Sequence, residues 1–262
     1  MRVPKKELRD VQAEPDFRHI AIDKVGVKDI RYPIVVLDKK NKFQHTVASI
    51  NMYVDLPHQF KGTHMSRFVE ILNEHRGEVT VKNFPQILEK MKARFNATTA
   101  HLEVEFPYFV EKTAPVSKSK GLMEYRCRYL GMLGETRDFL LEVTVPVSTL
   151  CPCSKEISER GAHNQRGIVK VGVRFTGFVW IEEIIGAIEK SASSPVYSLL
   201  KRVDEKFVTE QAYDNPMFVE DVVREVAINL GKIKKIKWCR VEAENWESIH
   251  NHSAYAFIER AL

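Results

Sequence analysis

The sequence predicts an α+β protein built on antiparallel sheet, and three observations predict it. Long stretches alternate apolar and polar residues with the period of a strand, and pairs of amphipathic helices interrupt them. The order strands, two helices, strands then occurs twice, about 130 residues apart. Hairpins beside helix pairs favour an antiparallel layered fold over a doubly wound parallel sheet. Neither a P-loop nor a G-x-G-x-x-G turn is present, so any phosphate contact must use other groups.

Residues 1–17 are polar and read as a flexible arm. A strand is expected over "VGVKDIRYPIVVLD", and the segment 46–56 alternates strictly, with Ala48, Ile50, Met52, Val54 and Leu56 on one face. Helices are expected over 66–75, where Phe68, Ile71 and Leu72 fall at helical spacing, and over 84–95, with Pro85 in the first turn. Strands follow at 100–110, 122–133 and 138–147. The second half repeats the rhythm with a strand at 167–181, helices at 181–192 and 216–231 (closed by Gly231), and strands at 235–247 and 253–262.

The 262 residues are 44 % hydrophobic and 29 % charged, enough apolar material for a core without disulfide or metal staples. A net charge of +5 is mild, and the densest basic stretch, "KIKKIKW", alternates with Ile, so nucleic-acid binding is not expected. No apolar run is long enough to span a membrane, and the first residues lack the apolar core of a secretory signal. Four cysteines, two of them isolated, do not make a secreted disulfide framework, so a reducing cytoplasm is expected.

Two of those cysteines stand one residue apart in "LCPCSKEISERGAHNQRG". In an extended segment Cys151 and Cys153 would point the same way across Pro152, which suits two metal ligands, or one ligand beside a reactive thiol. His163 follows twelve residues after Cys151, and three local donors with an open position fit a catalytic rather than a structural metal. The segment "ENWESIHNHSAYAF" adds Glu247, His250 and His252, groups suited to acid–base work near neutral pH. Lys61, His64, Ser66 and Arg67 gather at a helix start, and Lys112, Ser117 and Lys118 in a basic loop; both suit an anion, although capping by Ser66 and ordinary solvation explain them equally. Glu205 precedes a helical stretch, where a carboxylate is ordinarily just solvated.

Taken together, "VGVKDIRYP", "KGTHMSRFV", "KTAPVSK", "LCPCSKEIS", "GAHNQR", "LLKRVDEKFVTE", "NPMFVEDVVR" and "ENWESIHNHSAYA" resemble, in order, GTP cyclohydrolase type IB, the prokaryotic family that opens folate and pterin synthesis. The resemblance implies a tunnelling fold with two tandem modules, 18–147 and 148–262, and a homotetramer with active sites at subunit interfaces. It implies one divalent metal per site (Zn, Mn or Fe) held by Cys151, His163 and Glu205, with Cys153 beside it. Glu220 would accept the N–H donors of the guanine edge. Glu247, His250 and His252 would move protons, and Lys61, His64, Arg67, Lys112, Ser117 and Lys118 would face the triphosphate. Val203 stands where the family pattern has proline, next to a proposed ligand.

The implied reaction is water addition to C8 of GTP, ring opening, formate release, and rearrangement and closure to 7,8-dihydroneopterin triphosphate. Two other readings compete: the nitrile reductase of queuosine synthesis on the same fold, and a non-catalytic zinc-stabilised module. The first uses a nicotinamide and no metal, and its Glu-(Ser)-Lys motif is absent here. The second would unfold on chelation rather than merely lose activity.

Overall fold

The structure is a computed structural model, and it describes residues 10–12, 14–75 and 80–262. Among them lie nine strands and six helices: β1 (Ile22–Asp38), β2 (Lys42–Leu56), α1 (Ser66–Glu74), α2 (Phe84–Phe95), β3 (Ala100–Thr113), β4 (Lys120–Leu133), β5 (Arg137–Leu150), α3 (Pro152–Ile157), β6 (Asn164–Phe175), α4 (Ile181–Glu189), β7 (Ser194–Pro195), α5 (Arg202–Asp214), α6 (Val219–Gly231), β8 (Ile236–Trp246) and β9 (Ser253–Ala261). The strands are hydrogen-bonded in the order β1-β2-β3-β4-β5-β6-β8-β9, with the short β7 on β5. The expected α+β class with a large antiparallel sheet is therefore present.

The chain divides into two compact units. The first comprises the described residues within 1–36, 45–104 and 129–139. Here the alternation along β2 does what its spacing predicts, since Ala48, Ile50, Met52 and Val54 are all at most 1 % exposed. Helix α1 buries Phe68, Ile71 and Leu72, and α2 buries Phe84, Ile87, Leu88 and Met91. Phe84 meets Tyr129 and Phe139 edge-on, at centroid distances of 6.2 and 5.2 Å. Of the arm expected over 1–17, residues 1–9 and 13 lie outside the described residues. The rest is tied to the 57–64 loop: the Asp16 N–H donates to Gln59 and the Lys61 N–H to Glu14, each at 3.1 Å.

The second unit comprises 37–44, 105–128 and 140–262. Its β5, β6, β8 and β9 pair antiparallel in that order. Val143, Val145, Val147, Val169, Val171, Val173 and Val241 form an apolar face with no exposed surface. Helix α6 lies on β8 and β9 through Val219, Val222, Val223, Val226 and Leu230. One residue out of phase, Glu142 is 2 % exposed and ringed by Arg240 at 2.6 Å, Arg128 at 3.3 Å and Lys170 at 3.5 Å. Gly167 faces Val147 and Asn245 across the ladders. A Cβ there would sit 2.4 Å from the Asn245 amide oxygen and 3.2 Å from a Val147 methyl, so only glycine lets the strands close.

Four local expectations are corrected. Residues 152–157 are helical rather than extended, because Pro152 suits the first helical position as well as it suits a strand. Glu205 lies inside the first turn of α5, not before the helix. Ser66 does not cap α1, whose start has no side-chain cap, and α6 runs through Gly231 to end at Lys232.

Candidate metal centre and active site

The β5–β6 ladder ends at the pair Leu150 and Asn164, which places Cys151 opposite His163. The Cys151 N–H donates to the His163 carbonyl at 3.1 Å, so the two residues stay together although twelve positions apart. From Cys151 the chain turns into α3. Cys151 is its N-cap, and its sulfur accepts the Ser154 N–H at 3.5 Å. The Ser154 hydroxyl oxygen accepts the His163 N–H at 3.2 Å and donates to the Cys151 carbonyl at the same distance, closing the corner. Helical geometry also separates the thiols: Cys151 is half-buried and Cys153 exposed, so they do not share one strand face.

The imidazole of His163 is oriented from behind. Its Nδ1 lies 3.1 Å from the Gln165 amide oxygen, 3.4 Å from the Ser248 hydroxyl and 3.9 Å from the Glu247 carboxylate. Amide and carboxylate oxygens only accept, so these contacts suit the tautomer with its proton on Nδ1, in which Nε2 offers a lone pair. An acceptor on one ring nitrogen and a free lone pair on the other is the arrangement of metal-binding histidines. Glu247 begins the loop 247–252, which bends rather than extends, so His250 and His252 are not alternate residues of a strand. Their exposed rings nevertheless stack, 5.2 Å apart and 12° from parallel.

Glu205 is exposed, whereas the residue before it is fully buried. Asp204 accepts the Val116 and Ser117 N–H groups, each at 2.8 Å, the Ser117 hydroxyl at 2.6 Å and the Lys201 N–H at 2.9 Å. Burial pushes its pKa up, but these bonds outweigh it and hold the carboxyl well below the usual carboxylate range. Val203 is 54 % exposed in the same turn, and the helix starts there without a proline. Ser117 thus faces inward to Asp204, and Lys118 beside it is exposed with a left-handed φ of 60°.

The remaining expected residues are distributed as follows. Lys112 is half-buried, pairs with Glu189 at 2.6 Å, donates to the Val196 carbonyl at 2.6 Å and lies 4.3 Å from the Tyr197 ring centre. Burial pushes its ammonium pKa down. Glu220 is exposed in the first turn of α6, whose approach is fixed by a 3.0 Å bond from the Met217 N–H to the Leu150 carbonyl at the end of β5. In the first unit, His64 and Arg67 line a cavity of about 220 Å³, where His64 meets Asp10 at 3.0 Å, and Lys61 pairs with Glu14 at 3.1 Å.

Soft thiolate and oriented imidazole fit a divalent cation in kind. Among the described residues no three His, Cys, Asp or Glu side chains are gathered closely enough to hold one. The chain brings Cys151 and His163 together and leaves Glu205 on another element. Sequence reasoning assigned no role to Gln165 or Asp204. Strand alternation, which puts Gln165 on His163's side, and the position of Asp204 three residues after Lys201 at a helix start were the available signals.

The sequence matches the family described as type I GTP cyclohydrolase folE2 over residues 8–256. It is 66 % identical over 252 residues to a GTP cyclohydrolase FolE2 of Syntrophotalea carbinolica, covering 96 % of this chain and 95 % of the relative. It is 63 % identical over 257 residues to a GTP cyclohydrolase FolE2 of Geobacter sp. strain M21, covering 98 % and 96 %. Its fold is similar to urate oxidase from Bacillus sp. TB-90, with a TM-score of 0.53 at 7 % identity over 92 % of this chain and all of the other. It is also similar to uricase from Arthrobacter globiformis, at 0.52 and 8 % over 92 % and 93 %. By the extent and level of its sequence match, the chain belongs to the type I GTP cyclohydrolase FolE2 family.

Proposed function

We propose that this chain is a metal-dependent enzyme that converts GTP and water into 7,8-dihydroneopterin triphosphate and formate, the opening step of folate and pterin synthesis. The observation that carries the chemistry is the Cys151–His163 corner, where a helix-capping thiol stands backbone-bonded to an imidazole oriented by Gln165 and Glu247. Cys151, His163 and Glu205 would hold the cation (Zn, Mn or Fe). When bound, it supplies the Lewis acidity that makes water nucleophilic near neutral pH.

The chain's own groups do the rest. Glu220 accepts the N–H donors of the guanine edge and sets C8 in place. Gln165 orients the His163 ring from behind, while Glu247, 3.9 Å from Nδ1, and the exposed pair His250 and His252 exchange protons with the opening ring. Cys153, exposed two residues beyond Cys151, would stand beside the metal. The triphosphate falls to Lys61, His64, Arg67, Lys112, Ser117 and Lys118, among which Lys61 and Lys118 are the most exposed cations. A homotetramer of tunnelling folds, each with tandem modules over 18–147 and 148–262, would let a neighbouring copy supply the carboxylate that completes the donor set. No helix among the described residues is long and apolar enough to cross a membrane, and we place the enzyme in the cytoplasm.

The test is GTP turnover, read as pterin fluorescence after oxidation, before and after metal removal and re-addition. Wild type should lose activity on chelation, keep its fold and recover on re-addition, whereas Cys151→Ala should fold but stay inactive with or without added metal. Full activity in Cys151→Ala would overturn the ligand assignment; nicotinamide consumption without pterin would overturn the reaction.

A further inference from the structure

We propose that Asp204 is a positioning residue that locks the 114–119 loop to the first turn of α5, and so sets the proposed phosphate cation Lys118 and the proposed metal donor Glu205 at a fixed spacing. The inference rests on the roles assigned above to those two residues.

Capping α5 needs only one of Asp204's four bonds, the 2.9 Å contact from the Lys201 N–H. The other three reach a loop 87 and 88 residues away in sequence. There, two consecutive backbone N–H groups converge on one carboxylate oxygen, and the Ser117 hydroxyl donates to the other. The loop is closed on itself by a 2.8 Å bond from the Ala114 N–H to the Ser119 carbonyl, so pinning 116 and 117 fixes Lys118 as well. Helix α5 buries only Asp204 and Ala212, and the other contacts that hold it, from Lys155 to the Tyr213 carbonyl and from the Asn215 amide to the Ala192 carbonyl, lie at its far end. With so little apolar packing, the position of its first turn, and hence of Glu205, depends on that carboxylate. The groups the substrate and the cation would touch lie one residue beyond each end of the contact.

The experiment measures Co²⁺ binding to metal-free full-length protein, without GTP, by the thiolate-to-cobalt absorption, alongside kcat and KM for GTP. Asp204→Asn keeps the size but turns an amide N–H towards the Lys201 donor. Its Co²⁺ affinity should fall about 10- to 100-fold, the usual effect of losing a partner behind a metal ligand, with KM rising by a similar factor and kcat at saturation falling less. Ser117→Ala leaves the α5 cap intact and cannot act on metal through the triphosphate when GTP is absent. It should still weaken Co²⁺ binding by a smaller factor, and Ser117→Thr should restore it. Wild-type Co²⁺ affinity and KM in folded Asp204→Asn and Ser117→Ala would overturn the inference. If Asp204→Asn does not fold, Ser117→Ala and Ser117→Thr decide alone. If wild type and Cys151→Ala give the same Co²⁺ spectrum, the metal assignment itself fails and the inference falls with it, a distinct outcome.

Discussion

Gln165 offers the cleanest perturbation of the site, because it touches His163 without being a proposed ligand. Its side chain is nearly buried, with the residue 7 % exposed, and its amide oxygen lies 3.1 Å from His163 Nδ1. Gln165→Leu fills nearly the same space and removes the acceptor. The next oxygens stand at 3.4 Å (Ser248) and 3.9 Å (Glu247), and the second is beyond hydrogen-bond length. The ring therefore loses its shortest orienting bond and keeps a longer one. A hydrogen bond between neutral groups is worth about 0.5–1.5 kcal/mol, and every 1.4 kcal/mol is about tenfold in affinity, so the bond itself accounts for the lower end of the expected effect. Metal affinity should drop about 10- to 100-fold, in line with other partners behind metal-binding histidines.

The assay is a Co²⁺ titration of the metal-free protein, paired with GTP turnover at saturating metal. Affinity should fall while saturated turnover largely recovers, since no ligand has been removed. The melting temperature should move little, because a buried amide's lost bond is offset by the apolar surface that replaces it. Unchanged metal affinity in a folded Gln165→Leu would refute the idea that Gln165 orients a ligand. Loss of turnover that no metal concentration restores would refute it too, by giving Gln165 a direct chemical role.

Other consequences can be checked by denaturation. Glu142→Gln removes the carboxylate shared by Arg128, Lys170 and Arg240 and should cost about 3–5 kcal/mol in urea unfolding, as breaking a buried ion pair does. Phe84→Ala empties a fully buried site beside Tyr129 and Phe139 and should cost about 3–5 kcal/mol. For Asp38 and Asp55, burial pushes the pKa up, but bonds from Asn41 and Lys40 on the one, and from Thr99 and Thr98 on the other, outweigh it and hold both below the usual range. A depressed folded pKa gives stability that is present above the unfolded value of about 4 and lost as pH falls through the folded one. The urea midpoint should therefore fall on acidification below about pH 4, and less steeply in Asp55→Asn.

What was legible in the sequence follows from what periodicity can encode. Residues 84–95 form α2 with the boundaries read from apolar spacing and Pro85, and β2 buries the face its alternation marks. Burial of a whole face is repeated many times along an element, so its signal accumulates. The site is built differently, from single contacts between distant segments. Pro152 is compatible with both an extended and a helical chain, and what decides is that Cys151 and Ser154 together cap a helix start, a local competition the spacing of two cysteines does not express.

The pair Asp204–Glu205 sharpens the point. In the sequence these are two adjacent carboxylates of nearly equal chemistry, and a reading by resemblance selects the second. In the fold they are opposites. Consecutive helical residues point about 100° apart, so two neighbours cannot both point straight into the protein. Asp204 takes the inward direction, where four donors saturate it and hold its charge; Glu205 takes the outward one and stays available to bind something else. An available carboxylate is useful to a metal only if its place is fixed, and a saturated one is useful only as a fixture. Neither residue does the other's work, and the division between them comes from burial, which depends on a loop nearly ninety residues earlier in the chain.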